Sequence, residues 1–160
     1  MLTINSRKKS FVPALWSGVL LIILAMTLPQ PAQALSWNPS TGPYGGSIGA
    51  LAIDPGNPAN LYAGTSGGEV FTSTDSGANW SASVSGLGGK SVTSIAVDPA
   101  ASSLYAGTSG GGVYKSTDGG ATWSTSNNGL ASLYVNSLAV DPAASNTLYA
   151  GTNGGGFKST

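Results

Sequence analysis

Leu61-Tyr62-Ala63-Gly64-Thr65 returns unchanged at 104–108 and again at 148–152. The copies stand 43 and 44 residues apart. A second set of anchors, Asp54-Pro55, Asp98-Pro99 and Asp141-Pro142, keeps the same step at 44 and 43 residues. Self-similarity at a fixed step of this size marks a repeat architecture in which each copy is one supersecondary unit. The content of a copy therefore decides the fold.

The second copy reads most clearly. From Val92 to Val97 the side chains alternate, with Ile95 and Val97 on one face and Ser94 and Ala96 on the other, as a strand of period two requires. Large residues on one face and small ones on the other suit a strand held between neighbouring units. Pro99 ends it, because proline cannot donate to a ladder. Leu104 to Thr108 forms a second strand and Ser109 to Gly112 a glycine-rich turn. Val113 to Ser116 forms a third strand, and a fourth begins at Thr122-Trp123. Four short antiparallel strands per copy make one blade of a β-propeller. The fold expected is all-β, with β-propeller blades of four antiparallel strands and an incomplete ring in one chain. Residues 35–46 are read as a lone closing strand and linker, 47–90 as blade 1, 91–133 as blade 2 and 134–160 as an incomplete blade 3.

Residues 1–34 read as an export signal. Arg7, Lys8 and Lys9 open it, an apolar run follows from Phe11 to Leu28, and Ala32-Gln33-Ala34 supplies a small-x-small cleavage site. Cleavage is expected after Ala34, leaving a periplasmic or extracellular chain with no stable membrane span. The alternative, an uncleaved anchor, fits less well, because the apolar stretch is short for a span of about 20 residues. Removal of the signal leaves three lysines against six acids, a net charge of −3. With no basic patch, nucleic acid is not an expected partner. The chain has no cysteine and no histidine. That excludes a disulfide framework and a thiol nucleophile, and removes the commonest metal ligand and general base.

Between the third and fourth strands of blade 2 lie Ser116, Asp118, Gly120 and Trp123, spaced Ser-x-Asp-x-Gly-x-x-Trp. Blade 1 has Ser73, Asp75, Gly77 and Trp80 at the same spacing. This pattern resembles the Asp-box, or BNR repeat, of sialidase-like propellers, sortilin-type receptor domains, photosystem II assembly propellers of the Ycf48 type and several glycosidases. The motif is specific for a hairpin and carries no single activity. An Asp in a tight turn accepts backbone N–H bonds, the Gly takes an angle that Cβ would forbid, and the Trp fills apolar space beside the strands. Asp75 and Asp118 are accordingly read as structural, as are Asp54, Asp98 and Asp141 before their prolines.

The resemblance to sialidases implies an arginine clamp and a Tyr/Glu pair, yet residues 35–160 hold no arginine. Other glycosidase chemistry needs two carboxylates at a set separation. The only acid outside the repeat pattern is Glu69, read as solvated turn surface. No Ser-His pairing exists without histidine. The glycine runs at 110–112 and 154–156 are turns, since no Lys-Ser/Thr and no helix follows them. Tyr44, Tyr62, Tyr105, Tyr134 and Tyr149 suggest a sugar-binding surface. However, Tyr62, Tyr105 and Tyr149 share one repeat position, which favours packing. No catalytic, cofactor or metal site is expected. The partner expected is an unknown protein or glycan.

Propellers close with four to eight blades, and this chain has strands for about three. Trp37 lies 17 residues before Asp54, while Trp80 and Trp123 each lie 18 before their Asp. Trp37 is thus read as opening a lone fourth strand, the piece that completes a last blade. Two arrangements follow: a segment of a longer propeller, or two chains closing each other into a six-bladed homo-oligomer. Burying ~500 Å² of an end face contributes roughly 12 kcal/mol as an upper bound, so one or the other is required. The segment reading is favoured. One ground for it is that Leu148 to Phe157 is one residue shorter than Leu61 to Phe71 or Leu104 to Tyr114, a loss that reverses side-chain facing unless the turn absorbs it. The leading function expected is secreted, non-catalytic binding or scaffolding. The rivals are a glycoside hydrolase segment whose catalytic residues lie elsewhere and an oligomeric sugar-binding propeller.

Overall fold

The computed structural model describes residues 36, 37, 39, 40, 42, 43, 46–83, 85–100 and 102–159. The expected export signal and Tyr44 lie outside the described residues. The chain divides into two units, Met1–Trp37 and Asn38–Thr160. Of the first only Ser36 and Trp37 are described. Neither is in a strand, and Trp37 is 91% exposed. The lone closing strand expected there has no counterpart among the described residues of 35–46. A strand exists only where its backbone groups find a ladder, and none pairs with these residues.

Among its described residues the second unit has eleven strands and no helix. Blade 1 is a four-stranded antiparallel sheet of β1 (Ile48–Ile53), β2 (Leu61–Thr65), β3 (Val70–Ser73) and β4 (Ser81–Ser83). Blade 2 repeats it with β5 (Val92–Asp98), β6 (Ser103–Thr108), β7 (Gly112–Ser116) and β8 (Ser124–Thr125). Blade 3 has three strands, β9 (Val135–Val140), β10 (Leu148–Thr152) and β11 (Gly155–Lys158). Each first strand carries a register shift near its start, at Ile48/Ala50, Val92/Ser94 and opposite Gly151/Thr152. A bulge at the same repeat position in every blade adds twist where the strands begin.

The one-residue loss in blade 3 does not reverse the strand. Phe157 pairs with Ala150, just as Phe71 pairs with Ala63 and Tyr114 with Ala106. The turn absorbs the deletion. Thr108 faces Gly112 across three residues, whereas Thr152 faces Gly155 across two, with Gly155 at φ +115°. Only glycine takes that angle at little cost.

Two apolar clusters join the blades. The first holds Tyr62, Val70 and Leu87 from blade 1 against Ile95, Val97, Leu104 and Trp123 from blade 2. The second sets Ala96, Tyr105 and Val113 of blade 2 against Leu138, Val140, Leu148 and Phe157 of blade 3. Blades 2 and 3 each have a leading face that packs on the trailing face of the blade before it. Close approach is built into one repeat position of the shared pentamer. A Cβ on Gly64 would fall 2.3 Å from Val92 Cγ1, and one on Gly107 would fall 2.7 Å from Val135 Cγ1. Glycine there lets the next blade's inner strand sit against the backbone.

Candidate functional site

The three Asp-Pro aspartates have a common geometry. Asp54, Asp98 and Asp141 each accept a bond at Oδ1 from the backbone N–H two residues on, at 2.8, 2.9 and 2.9 Å. This is the Asx turn that lets Asp end a strand.

The two hairpins with the Ser-x-Asp-x-Gly-x-x-Trp spacing are also near duplicates. Ser73 Oγ donates to Asp75 Oδ1 at 2.8 Å and accepts from Gly77 N–H at 2.9 Å. The Asp75 carboxylate then accepts from Asn79 twice, from its backbone N–H at 2.8 Å and from its side-chain amide at 2.7 Å. Trp80 Nε1 donates to Gly77 O at 3.1 Å. In blade 2, Ser116 Oγ donates to Asp118 at 2.8 Å, Thr122 donates from backbone and hydroxyl at 2.9 and 2.5 Å, and Trp123 Nε1 reaches Gly120 O at 3.1 Å. Gly77 and Gly120 hold φ of +88° and +93°. The Asn79 side chain and backbone, then Ser73, pull the Asp75 carboxyl down to about 2. Thr122, through hydroxyl and backbone, and then Ser116 do the same to Asp118. A carboxyl held there is ionised at neutral pH, and its lone pairs face its own turn. It is poorly suited to general acid chemistry, which needs a pKa near the working pH. Glu69 sits half-buried in the β2–β3 hairpin, where its backbone N–H donates to Thr65 Oγ1 at 3.1 Å.

The tyrosines divide by blade. Tyr62 and Tyr105 are buried between blades, at 6% and 7% exposure, while Tyr149 at the same repeat position is 44% exposed. Burial, then the nearby Asp54 charge, raises the Tyr62 hydroxyl above its ordinary value. Lys115 Nζ lies 5.4 Å from the Tyr105 ring centre and Lys158 Nζ 5.7 Å from that of Tyr149, within cation–π range. Tyr134, 55% exposed, lies beside the Gly110 turn.

The structure reveals one feature that the residue-by-residue reading missed. Between blades 2 and 3 lies a cleft of about 520 Å³, lined in part by Lys115, Asn128, Leu130, Leu148, Phe157 and Lys158. Its size falls within the range of small-molecule sites. The corresponding place between blades 1 and 2 holds the Asp118 hairpin, beside which a depression of about 470 Å³ remains. There the Asp118 hairpin of blade 2 docks on β4 of blade 1, with Ser83 Oγ donating to Gly120 O and Trp123 buried at 5% exposure. Thr72, Ser83 and Ser85 line that depression, and Leu87 packs in one cluster with Trp123. Lys115, Ser126, Asn128 and Leu130 are their repeat equivalents and line the cleft. The cleft is thus the blade 2–3 counterpart of the Trp123 slot. A shallower depression of about 390 Å³ lies on blade 3 and includes Ala139, Tyr149, Gly156 and Lys158.

Neither a family model nor a curated protein matches the sequence. Solved structures do. The GH74 enzyme of Niastella koreensis is 32% identical, with a TM-score of 0.56, covering 71% of this chain and 21% of its own. YCF48 from Cyanidioschyzon merolae is 15% identical with a TM-score of 0.56, covering 70% and 33% respectively. PorZ, a bacterial surface component of the type-IX secretion system of Porphyromonas gingivalis, is 23% identical with a TM-score of 0.56, covering 70% and 17%. This chain spans about a sixth to a third of the length of these proteins. The shared fold is a β-propeller of the sialidase-like class, unclosed within these 160 residues.

Proposed function

We propose that this chain is an exported β-propeller segment that works by binding or scaffolding and not by catalysis. The observation that carries the reading is the fate of the acids. Asp75 and Asp118 are bound into their own hairpins, and Asp54, Asp98 and Asp141 into Asx turns. The repeat thus spends its carboxylates on shape. The charge–apolar–small order of residues 7–34 supports export. Ser73, Asp75, Gly77, Trp80, Ser116, Asp118, Gly120 and Trp123 are the scaffold residues of this reading. The ligand proposed is a protein or a glycan, met at the cleft between blades 2 and 3, where two lysines, amides and apolar side chains lie together. Retention of a defined oligosaccharide or peptide by the full chain, weakened by Lys115→Ala, is the expected result. No retention on a glycan array or a peptide array counts against it. Mass spectrometry of the exported chain is expected to show an N-terminus at Leu35.

One observation favours a second reading, a segment of a glycoside hydrolase: the 32% identity to a GH74 enzyme across 71% of this chain. In that reading the catalytic residues lie outside these 160 residues, so this chain is expected to retain an oligosaccharide without releasing reducing ends from it, and retention on a peptide array alone would overturn it.

A further inference from the structure

The hairpin between β6 and β7 runs through Gly110, Gly111 and Gly112, and each glycine is a seat for a side chain from elsewhere. The Tyr134 ring rests on Gly110, where a Cβ would lie 3.6 Å from its Cε1. The Lys90 stem crosses Gly111, where a Cβ would lie 3.0 Å from its Cγ. The Asn127 amide occupies the place of a Cβ on Gly112. It donates to Gly111 O at 2.9 Å and accepts from Val113 N–H at 2.7 Å. Leu133 O accepts from Gly110 N–H and Gly112 N–H at 3.0 and 2.9 Å. The turn is thus fixed from several sides. Lys90 reaches it from the segment entering blade 2, and Tyr134 from the segment entering blade 3. Blade 2 has a blade on either side, so both flanks of this turn are in place.

The backbone at this position is common to all three blades. Ser47 O, Ser91 O and Tyr134 O accept from the N–H groups of Ser66, Ser109 and Asn153 at 2.9, 2.9 and 3.1 Å. Serine satisfies the repeat twice, so the tyrosine is a departure that the pairing does not require. Tyr134 is 55% exposed, and Leu133 before it 42%. A phenol ring seated on glycine is a fixed plate, and the C–H face of a pyranose packs on the electron-rich face of such a ring. Lys90 is exposed, and among the described residues its ammonium has no hydrogen-bond or ion-pair partner. Lys115 and Lys158, by contrast, lie over tyrosine rings. A lysine ammonium is a compact point charge that suits a carboxylate. The chain carries no excess of positive charge, so its attraction for an anion is local. Two exposed apolar side chains fall far short of the roughly 800 Å² per partner that a stable protein interface covers. We propose that Tyr134 and Lys90 bind an acidic saccharide, with one pyranose stacked on the Tyr134 ring and a carboxylate at the Lys90 ammonium. Neither residue lines the cleft between blades 2 and 3, and the site stands whether or not that cleft takes a ligand.

Calorimetric titration of the full chain with tetragalacturonate, beside neutral cellotetraose, tests the site. Saturable binding of tetragalacturonate is expected, and it should weaken as salt rises because Lys90 is exposed. Tyr134→Ser and Lys90→Leu each install the residue that another blade has at that repeat position, Ser91 and Leu133, so both variants are expected to fold. Each should weaken tetragalacturonate binding about tenfold, the effect of losing one stacked ring or one charged contact. No binding of tetragalacturonate overturns the proposal. Equal affinity for cellotetraose also overturns it, because the charge then has no role. Binding that survives both substitutions places the saccharide elsewhere and overturns it too. So does binding lost in Lys115→Ala but kept in Tyr134→Ser, which would put the saccharide in the cleft.

Discussion

The joint between blades 1 and 2 and the joint between blades 2 and 3 are built from the same repeat, yet among the described residues only the first holds a docked Asp hairpin with its indole. At the first, a tryptophan at 5% exposure, a hairpin carbonyl docked on Ser83 and a fully buried Leu87 pack the joint and leave a depression of about 470 Å³ beside the hairpin. At the second, the equivalents Ser126 and Leu130 line a cleft of about 520 Å³. At the first joint a hairpin with its indole lies on Thr72, Ser83 and Ser85; at the second, their equivalents Lys115, Ser126 and Asn128 border the cleft. A propeller joint therefore has two separable parts: an inner contact of first strands, present at both joints, and an outer plug, present at one.

The largest test of that separation is Trp123→Ala, which removes the plug. Loss of a buried aromatic costs about 3–5 kcal/mol, so urea unfolding should show a drop of that size. Trp80→Ala, at the half-buried equivalent on the leading face of blade 1, should cost clearly less. Equal losses would mean that the outer plug contributes nothing specific to the joint.

The inner contact is tested at the shared pentamer glycine. Gly107→Ala forces a methyl to 2.7 Å from Val135 Cγ1, and such overpacking costs about 1–3 kcal/mol. Gly151→Ala meets only the Ser137 side chain closely, its Oγ at 2.5 Å and its Cβ at 3.9 Å, and the hydroxyl can rotate away. Thermal unfolding should separate the two variants, with Gly151→Ala near wild type.

A smaller effect sharpens the comparison of the two Asp hairpins. Ser76 holds φ +60°, where blade 2 has Gly119 at φ +70°. A left-handed backbone angle disfavours any residue with a Cβ, so Ser76→Gly is expected to stabilise by about 0.5–1 kcal/mol after the entropy of glycine is counted. A melting temperature that falls would show that the serine side chain compensates for its backbone.

The gentlest probe is pH. Asp75 and Asp118 titrate at about 2 in the folded chain, against 3.8 as the ordinary value. A depressed folded value means the stabilisation is fully present above about 4 and is lost as pH falls toward 2. The melting temperature should decline across that window, and Asp118→Asn should flatten part of the slope. A slope unchanged in Asp118→Asn would place the acid sensitivity elsewhere.

Much of this was legible because the repeat states it three times. The pentamer, the Asp-Pro stops and the alternation of Ile95 and Val97 with Ser94 and Ala96 define strand positions and facing. The Asp hairpins were readable because their bonds are local, spanning two to four residues. The cleft was not legible, because it depends on what sits beside Lys115 and Leu130 from another blade. Nor could the effect of the shortened third hairpin be read from spacing alone. Whether a missing residue falls in a strand or in its turn is decided by ladder pairing, and Gly155 at a positive angle lets the turn take it.

By itself, then, the sequence determined a blade: its strands, its turns, its internal hydrogen bonds and its two faces, all set by interactions within about 43 residues. The tertiary structure alone decided which faces are covered. Tyr62, Tyr105 and Tyr149 are the same residue in the same pentamer, two buried and one open. Burial belongs to the neighbour and not to the residue.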